Sequence, residues 1–202
     1  MTRERKASLI AAAAVVLFAV AVVGIVLVVS GDGKNSGNVQ RAFGGYISPE
    51  DERLLYELNR TAASANDSYL ELVQAAADED VDRIERIAGR GRMTVDKGLR
   101  AVAAMVNEGL RSEIRGLLGA QRTVFTAYGD LARYARTHRS SGSTPEAERL
   151  LARAARAERR TALRRRHLYR RVADYLTPEQ RRLVRTEQRA YDERLEQIEP
   201  TK

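Results

Sequence analysis

Apolar residues recur three and four positions apart over most of the chain, the repeat that places side chains on one face of an α-helix. The clearest run begins after residue 48. It contains Leu55, Leu58, Ala62, Ala65, Tyr69, Leu72 and Ala76. Ser48 as N-cap, Pro49 in the first turn and Asp51 as a capping-box acid mark where this helix begins. The pattern predicts a helix that packs against a partner helix.

The same repeat predicts further helices downstream, separated by polar or glycine-containing breaks. Residues 78–80 (DED) predict a short break, and residues 89–91 (GRG) predict an interruption. A longer helix is then predicted over residues 93–139. Its stripe consists of Val95, Leu99, Val102, Val106, Leu110, Ile114, Leu117, Gln121, Val124, Tyr128, Leu131 and Ala135. Because the repeat slips once, from Val106 to Ile114, a compact bundle is favoured over a straight coiled coil.

Two capped helices complete the pattern. One is predicted over residues 144–176, after a serine-rich loop, and the last over residues 177–199. The sequence therefore predicts an all-α domain of about four helices, residues 48–199, folded as a four-helix bundle or as a bent helical hairpin that forms a homodimer.

The start of the chain has a different pattern. Residues 7–30 contain no charged side chain and are long enough to cross a bilayer as a helix. Arg3, Arg5 and Lys6 precede them, so the tail of residues 1–6 is predicted to lie in the cytoplasm. A cleaved signal peptide is the alternative, but the apolar run exceeds the usual length of about 7–15 residues. An uncleaved signal-anchor is favoured, followed by a flexible linker over residues 31–47 and an extracytoplasmic domain.

Charge adds one candidate surface. The chain has 35 Lys and Arg against 27 Asp and Glu, and only four of the basic residues are lysines. On a helical wheel of residues 144–176 the arginines lie opposite the apolar side, except Arg165. The predicted binding surface is Arg149, Arg153, Arg156, Arg160, Arg164, Arg170 and Arg171. Such a face is either merely solvated or binds phosphate and carboxylate groups, which the guanidinium fork contacts with paired hydrogen bonds.

Candidate chemistry is otherwise sparse. His138 and His167 are isolated, no cysteine is present, and no nucleophile, phosphate-loop or dinucleotide motif occurs. We therefore expect a protein that is not an enzyme and that holds no cofactor or metal. Nucleic acid is not an expected partner, because export separates the chain from it and no recognition motif accompanies the arginines.

Residues 176–180 (LTPEQ) resemble the L-T-x-x-Q segment of the Spy and CpxP group of periplasmic proteins, and residues 47–51 (ISPED) are similar to a second copy with aspartate in place of glutamine. The resemblance implies a dimeric helical cradle in the bacterial cell envelope that binds unfolded or acidic clients or senses envelope stress, and the anchor places it at the inner membrane. The function expected is thus a membrane-anchored, single-pass, chaperone-like or stress-related binding module for protein clients or anionic envelope components. A bitopic structural scaffold, or a sensory bundle that works with a membrane partner, is the alternative.

Overall fold

A computed structural model describes residues 42–138 and 144–176, together with residues 178–179, 181–182, 185–186 and 189. The predicted cytoplasmic tail, the predicted anchor over residues 7–30 and most of the predicted last helix lie outside this part. Within it, no helix combines the length and apolar character that a membrane span requires.

All regular structure in this part of the chain is helical, which confirms the all-α prediction there. The helices are α1 (Pro49–Ala77), α2 (Val81–Ala103), α3 (Glu108–Thr137) and α4 (Pro145–Val172), and a 3-10 turn (Ala173–Tyr175) follows α4. Each helix packs along the next one in sequence, and α4 also reaches α1 through a buried side chain.

The first helix begins and packs as its pattern predicts. The Ser48 side chain accepts a hydrogen bond from the Asp51 backbone N–H at 3.0 Å, and every apolar residue of the predicted stripe is buried. The Asp51 carboxylate, however, accepts hydrogen bonds from the backbone N–H groups of Val106 and Asn107 at 2.8 and 3.0 Å. This acid therefore connects α1 to the start of α3.

The acidic break over residues 78–80 is confirmed. Helix α1 ends at Ala77, Glu79 adopts a positive φ of 56°, and the Asp80 side chain caps α2 by accepting the Arg83 N–H at 2.9 Å. So short a turn makes α1 and α2 antiparallel neighbours.

The predicted interruption at residues 89–91 is wrong, because α2 runs through both glycines. Gly91 is needed for packing: a Cβ there would lie 2.3 Å from a ring carbon of Phe125 on α3. The glycine lets the Phe125 ring, which is fully buried, rest on the backbone of α2.

The single long helix predicted over residues 93–139 is also wrong. The chain leaves α2 after Ala103 and enters α3 at Glu108, where Asn107 is the N-cap and accepts the Leu110 N–H at 2.8 Å. Val106, which the predicted stripe placed in the core, lies in this connection and is 66% exposed. The slip in the apolar repeat marks this break.

Ion pairs cross the seams between the antiparallel helices. Arg90 of α2 pairs with Glu71 of α1, and Arg122 of α3 pairs with Asp96 of α2. The described helices bury one another's apolar faces. The homodimer stays a prediction.

The described part of the predicted linker packs on the bundle. Phe43 and Ile47 are buried, and the Asn107 side-chain amide donates to the carbonyls of Gly44 and Tyr46 at 2.7 and 3.2 Å. The Phe43 carbonyl lies so close to Gly109 that a Cβ there would be 2.0 Å from its oxygen. Residues 42–47 are therefore fixed at the start of α3.

Candidate anion-binding surface

Helix α4 carries the predicted basic face. Thr144 caps it by accepting the Ala147 N–H at 3.2 Å, and Pro145 occupies the first turn. The helix contains ten arginines but only three acidic residues. All seven predicted binding residues are exposed, as the helical wheel requires, whereas Arg165 is 4% exposed and lies in the interior.

Six of the seven predicted residues form one row along the side of α4 that borders α3, which we call the arginine stripe. It consists of Arg149, Arg153, Arg156, Arg160, Arg164 and Arg171. Arg170 does not belong to it. Its position is about 100° around the helix from Arg171, with the exposed Arg166 on the same side.

The ends of the arginine stripe are paired with carboxylates. Arg153 contacts Asp130 of α3 at 2.7 Å, Arg171 contacts Glu113 of α3 at 2.5 Å, and Arg149 contacts Glu146 of α4 at 3.2 Å. The first two ion pairs hold α4 against α3 at two separated points. Much of the positive charge at the stripe's ends is thereby compensated.

The middle of the stripe differs. Arg156, Arg160 and Arg164 form no ion pair with any carboxylate in the part of the chain that the structure describes. The register given by the Arg153 and Arg171 pairs places them opposite the segment 119–128 of α3, which contains no acidic residue. Their guanidinium groups are thus exposed to solvent beside a strip of α3 that offers no carboxylate.

Glu158 is buried, whereas an acid of a basic helix would be expected to neutralise neighbouring arginines at the surface. It is 5% exposed, and its Oε1 accepts hydrogen bonds from the hydroxyls of Tyr69 at 3.0 Å and Tyr128 at 2.7 Å. The three side chains join α4, α1 and α3 in the interior. Because Glu158 points inward, it does not compensate the arginine stripe.

The sequence carries a signal for the inward position of Glu158 that the prediction missed, although the same signal placed Arg165 on the apolar side. Glu158 and Arg165 belong to a repeat spaced three and four apart on the buried face of α4, together with Ala154, Thr161 and Leu168. A charged residue in such a repeat indicates a buried polar contact.

The histidines lie at separate places. His138 is exposed and stacks on Tyr134 with ring centroids 4.2 Å apart, and His167 is exposed with Nε2 3.4 Å from a Glu113 carboxylate oxygen. Among the described residues, no group of three or more His, Cys, Asp or Glu side chains is arranged to hold a metal ion.

Comparisons with known proteins assign no family. No family model matches the chain, and neither a curated protein nor a solved structure does so. The similarity of residues 176–180 and 47–51 to the L-T-x-x-Q proteins therefore stays a prediction.

Proposed function

We propose that this protein is a non-enzymatic, membrane-anchored binding module whose arginine stripe binds anionic partners outside the cytoplasm. The observation that carries the proposal is the exposure of Arg156, Arg160 and Arg164 without a described carboxylate partner. The part of α3 opposite these three arginines contains no acid, so their charge is not neutralised within the described bundle and is open to an anionic partner. Two acids of α3, Asp130 and Glu113, pair with the outer members Arg153 and Arg171.

The exposed apolar surface supports an anionic partner more than an apolar one. Large exposed hydrophobic residues of the described part are scattered, and Leu163 is the one that lies on α4, at 51% exposure. A surface that binds unfolded chains through apolar contacts needs a contiguous patch. Electrostatic attraction, with paired hydrogen bonds from guanidinium groups, is therefore the main source of affinity that we propose.

The proposed location rests on the sequence of the first 30 residues. The uncharged run over residues 7–30, preceded by Arg3, Arg5 and Lys6, supports an anchor in a bacterial inner membrane with the bundle on the outer side. A chaperone-like or stress-related role rests on the resemblance to the L-T-x-x-Q proteins. In such a role the clients would be acidic segments of other envelope proteins.

The test measures binding of a fluorescent polyglutamate to the full-length protein in a non-ionic detergent. We expect saturable binding that weakens as salt is raised from about 50 to 200 mM, because salt screens exposed charges. The variant Arg156→Gln/Arg160→Gln should bind several-fold more weakly. The matched control Arg166→Gln/Arg170→Gln removes the same charge from the other row of α4 and should retain most of the affinity.

Equal losses in the two double variants would show that net charge, and not the arginine stripe, drives binding. Affinity that does not respond to salt would contradict the proposal outright.

A further inference from the structure

A cleft lies where the beginning of α3 meets the second half of α4. Its volume is about 500 Å³, and it is lined by Glu108, Arg111, Ser112, Arg115, Gly116 and Arg164. Five of these residues recur on one face of the first turns of α3, and Arg164 comes from the arginine stripe on α4. Two helices thus bring three guanidinium groups around one open space.

One of the three guanidinium groups is held in place by the protein. Arg111 Nη1 donates to the Met105 carbonyl at 3.1 Å, and Nη2 contacts the Glu108 carboxylate at 3.2 Å. Glu108 itself is 86% exposed at the rim, so solvent weakens its effect on the cleft. The Arg111 side chain is therefore oriented before any ligand arrives.

The other two groups are open to a ligand. Arg115 and Arg164 form no ion pair with a described carboxylate, and the exposed hydroxyl of Ser112 lies one helical turn before Gly116. Positive charge from two helices, an oriented guanidinium and a hydroxyl together favour an anion with several oxygens.

Gly116 keeps the cleft open. A Cβ at this position would be 3.4 Å from Arg164 Nη1, an ordinary contact, so a side chain longer than alanine would enter the cleft beside this guanidinium. A glycine in a helix interior costs about 1 kcal/mol relative to alanine. Its presence here leaves the space beside the Arg164 guanidinium open.

We infer that this cleft binds a phosphate group, either as the free ion or as the head group of a phosphate ester. A phosphate presents more oxygens and more charge than a carboxylate, which suits three arginines and a hydroxyl better. The inference deepens the proposed function, on which it rests, by naming the ligand class at the Arg164 end of the arginine stripe.

The experiment is a ³¹P NMR titration of the full-length protein in non-ionic detergent with inorganic phosphate and, separately, with glycerol phosphate, both at constant ionic strength. Arg115→Gln should weaken binding at least about fivefold, since it removes a charged hydrogen-bond donor. Gly116→Glu should abolish binding by filling the cleft with a carboxylate. Because glutamate favours helix over glycine, this variant should unfold in urea at the same or a higher concentration than the natural protein.

The control is Lys97→Gln, in a separate cleft of about 530 Å³ between α1 and α2 that also contains Arg60. It should leave the phosphate affinity unchanged. Tighter binding of glycerol phosphate, lost in Arg115→Gln, identifies a lipid or polymer head group as the source. Tighter binding of inorganic phosphate, lost in the same way, identifies the free ion.

The inference is overturned if phosphate binding does not saturate, or if Lys97→Gln and Arg115→Gln weaken it equally. The two proposals fail separately. Polyglutamate binding without phosphate binding would leave the arginine stripe and remove the phosphate site. If the protein binds phosphate, loses that binding in Gly116→Glu and does not bind polyglutamate, the phosphate site would stand and the arginine stripe would be removed as a binding surface.

Discussion

The carboxylate of Asp51, in the first turn of α1, accepts the backbone N–H of Asn107 at the N-cap of α3 at a distance of 3.0 Å. The same carboxylate accepts the Val106 N–H, and Asp51 is fully buried. Asn107 in turn caps α3 and holds the carbonyls of Gly44 and Tyr46. One acid thus joins α1, the connection between α2 and α3, and the segment that precedes α1.

Asp51→Ala should lower the free energy of unfolding by about 2–3 kcal/mol, because it leaves two N–H groups without an acceptor in a largely buried place. Urea denaturation followed by circular dichroism measures the loss. Glu50→Ala is the matched control, since Glu50 is the exposed neighbour in the same turn, and it should change stability by less than about 0.5 kcal/mol. Similar effects from the two variants would contradict the role given to Asp51.

Gly91→Ala should destabilise the protein by about 1–3 kcal/mol, since its methyl group would overlap the Phe125 ring. Gly89 lies on the same helix, and a Cβ added there would meet no atom within 4 Å, so Gly89→Ala should stabilise by about 0.5–1 kcal/mol. Urea midpoints of the two variants should therefore shift in opposite directions. A gain in stability for both would mean that α2 and α3 are not packed this closely.

The buried cluster of Tyr69, Tyr128 and Glu158 predicts measurable coupling. Tyr69→Phe and Tyr128→Phe should each cost about 1–2 kcal/mol, because each removes a hydrogen bond to a buried carboxyl group. Their effects should not add in the double variant, because both hydroxyls act on the same oxygen. A double-mutant cycle, in which each variant is unfolded in urea, measures the coupling free energy between the two hydroxyls. Strict additivity would argue that the two hydroxyls do not share Glu158.

A chaperone-like role predicts that the full-length protein suppresses aggregation of an acidic, unfolded test protein. The suppression should weaken at high salt and in Arg156→Gln/Arg160→Gln, while Arg166→Gln/Arg170→Gln should behave like the natural protein. Light scattering during dilution from denaturant follows the reaction. If no suppression occurs under any condition, the scaffold or sensory alternative becomes the better explanation.

The predicted topology is testable because the chain contains no cysteine. The variant Glu146→Cys carries its single cysteine in the exposed first turn of α4. It should react with a membrane-impermeant maleimide in spheroplasts, whose inner membrane is intact. A cysteine at Thr2 should react only after lysis. Labelling of both positions in spheroplasts would rule out the proposed orientation.

The parts of the fold that follow from local pattern were predictable. The buried stripe of α1 and the cap at Ser48 could be read directly, because repeat and capping chemistry depend on neighbouring residues. The exposed arginines of α4 and the inward position of Arg165 also follow from helical geometry alone.

The errors arose where distant residues decide the structure. Gly91 reads as a helix breaker until the Phe125 ring supplies a reason for it. The break before Glu108 contains neither proline nor glycine, and it depends on Asp51, which lies in another helix. The partners of Glu158 lie on two other helices, so sequence spacing on α4 alone does not reveal which side chains meet it.

The contact between Phe43 and Gly109 has a consequence for how the bundle is held. It attaches the N-terminal segment at the end of the bundle that contains Glu108 and Arg171, whose guanidinium lies 5.5 Å from the Phe43 ring centre. If residues 7–30 cross a bilayer, residues 31–41 can extend no further than about 40 Å. The pole with the phosphate cleft would then be the one held near the lipid surface, while the opposite pole, at Thr137 and Thr144, would point outward.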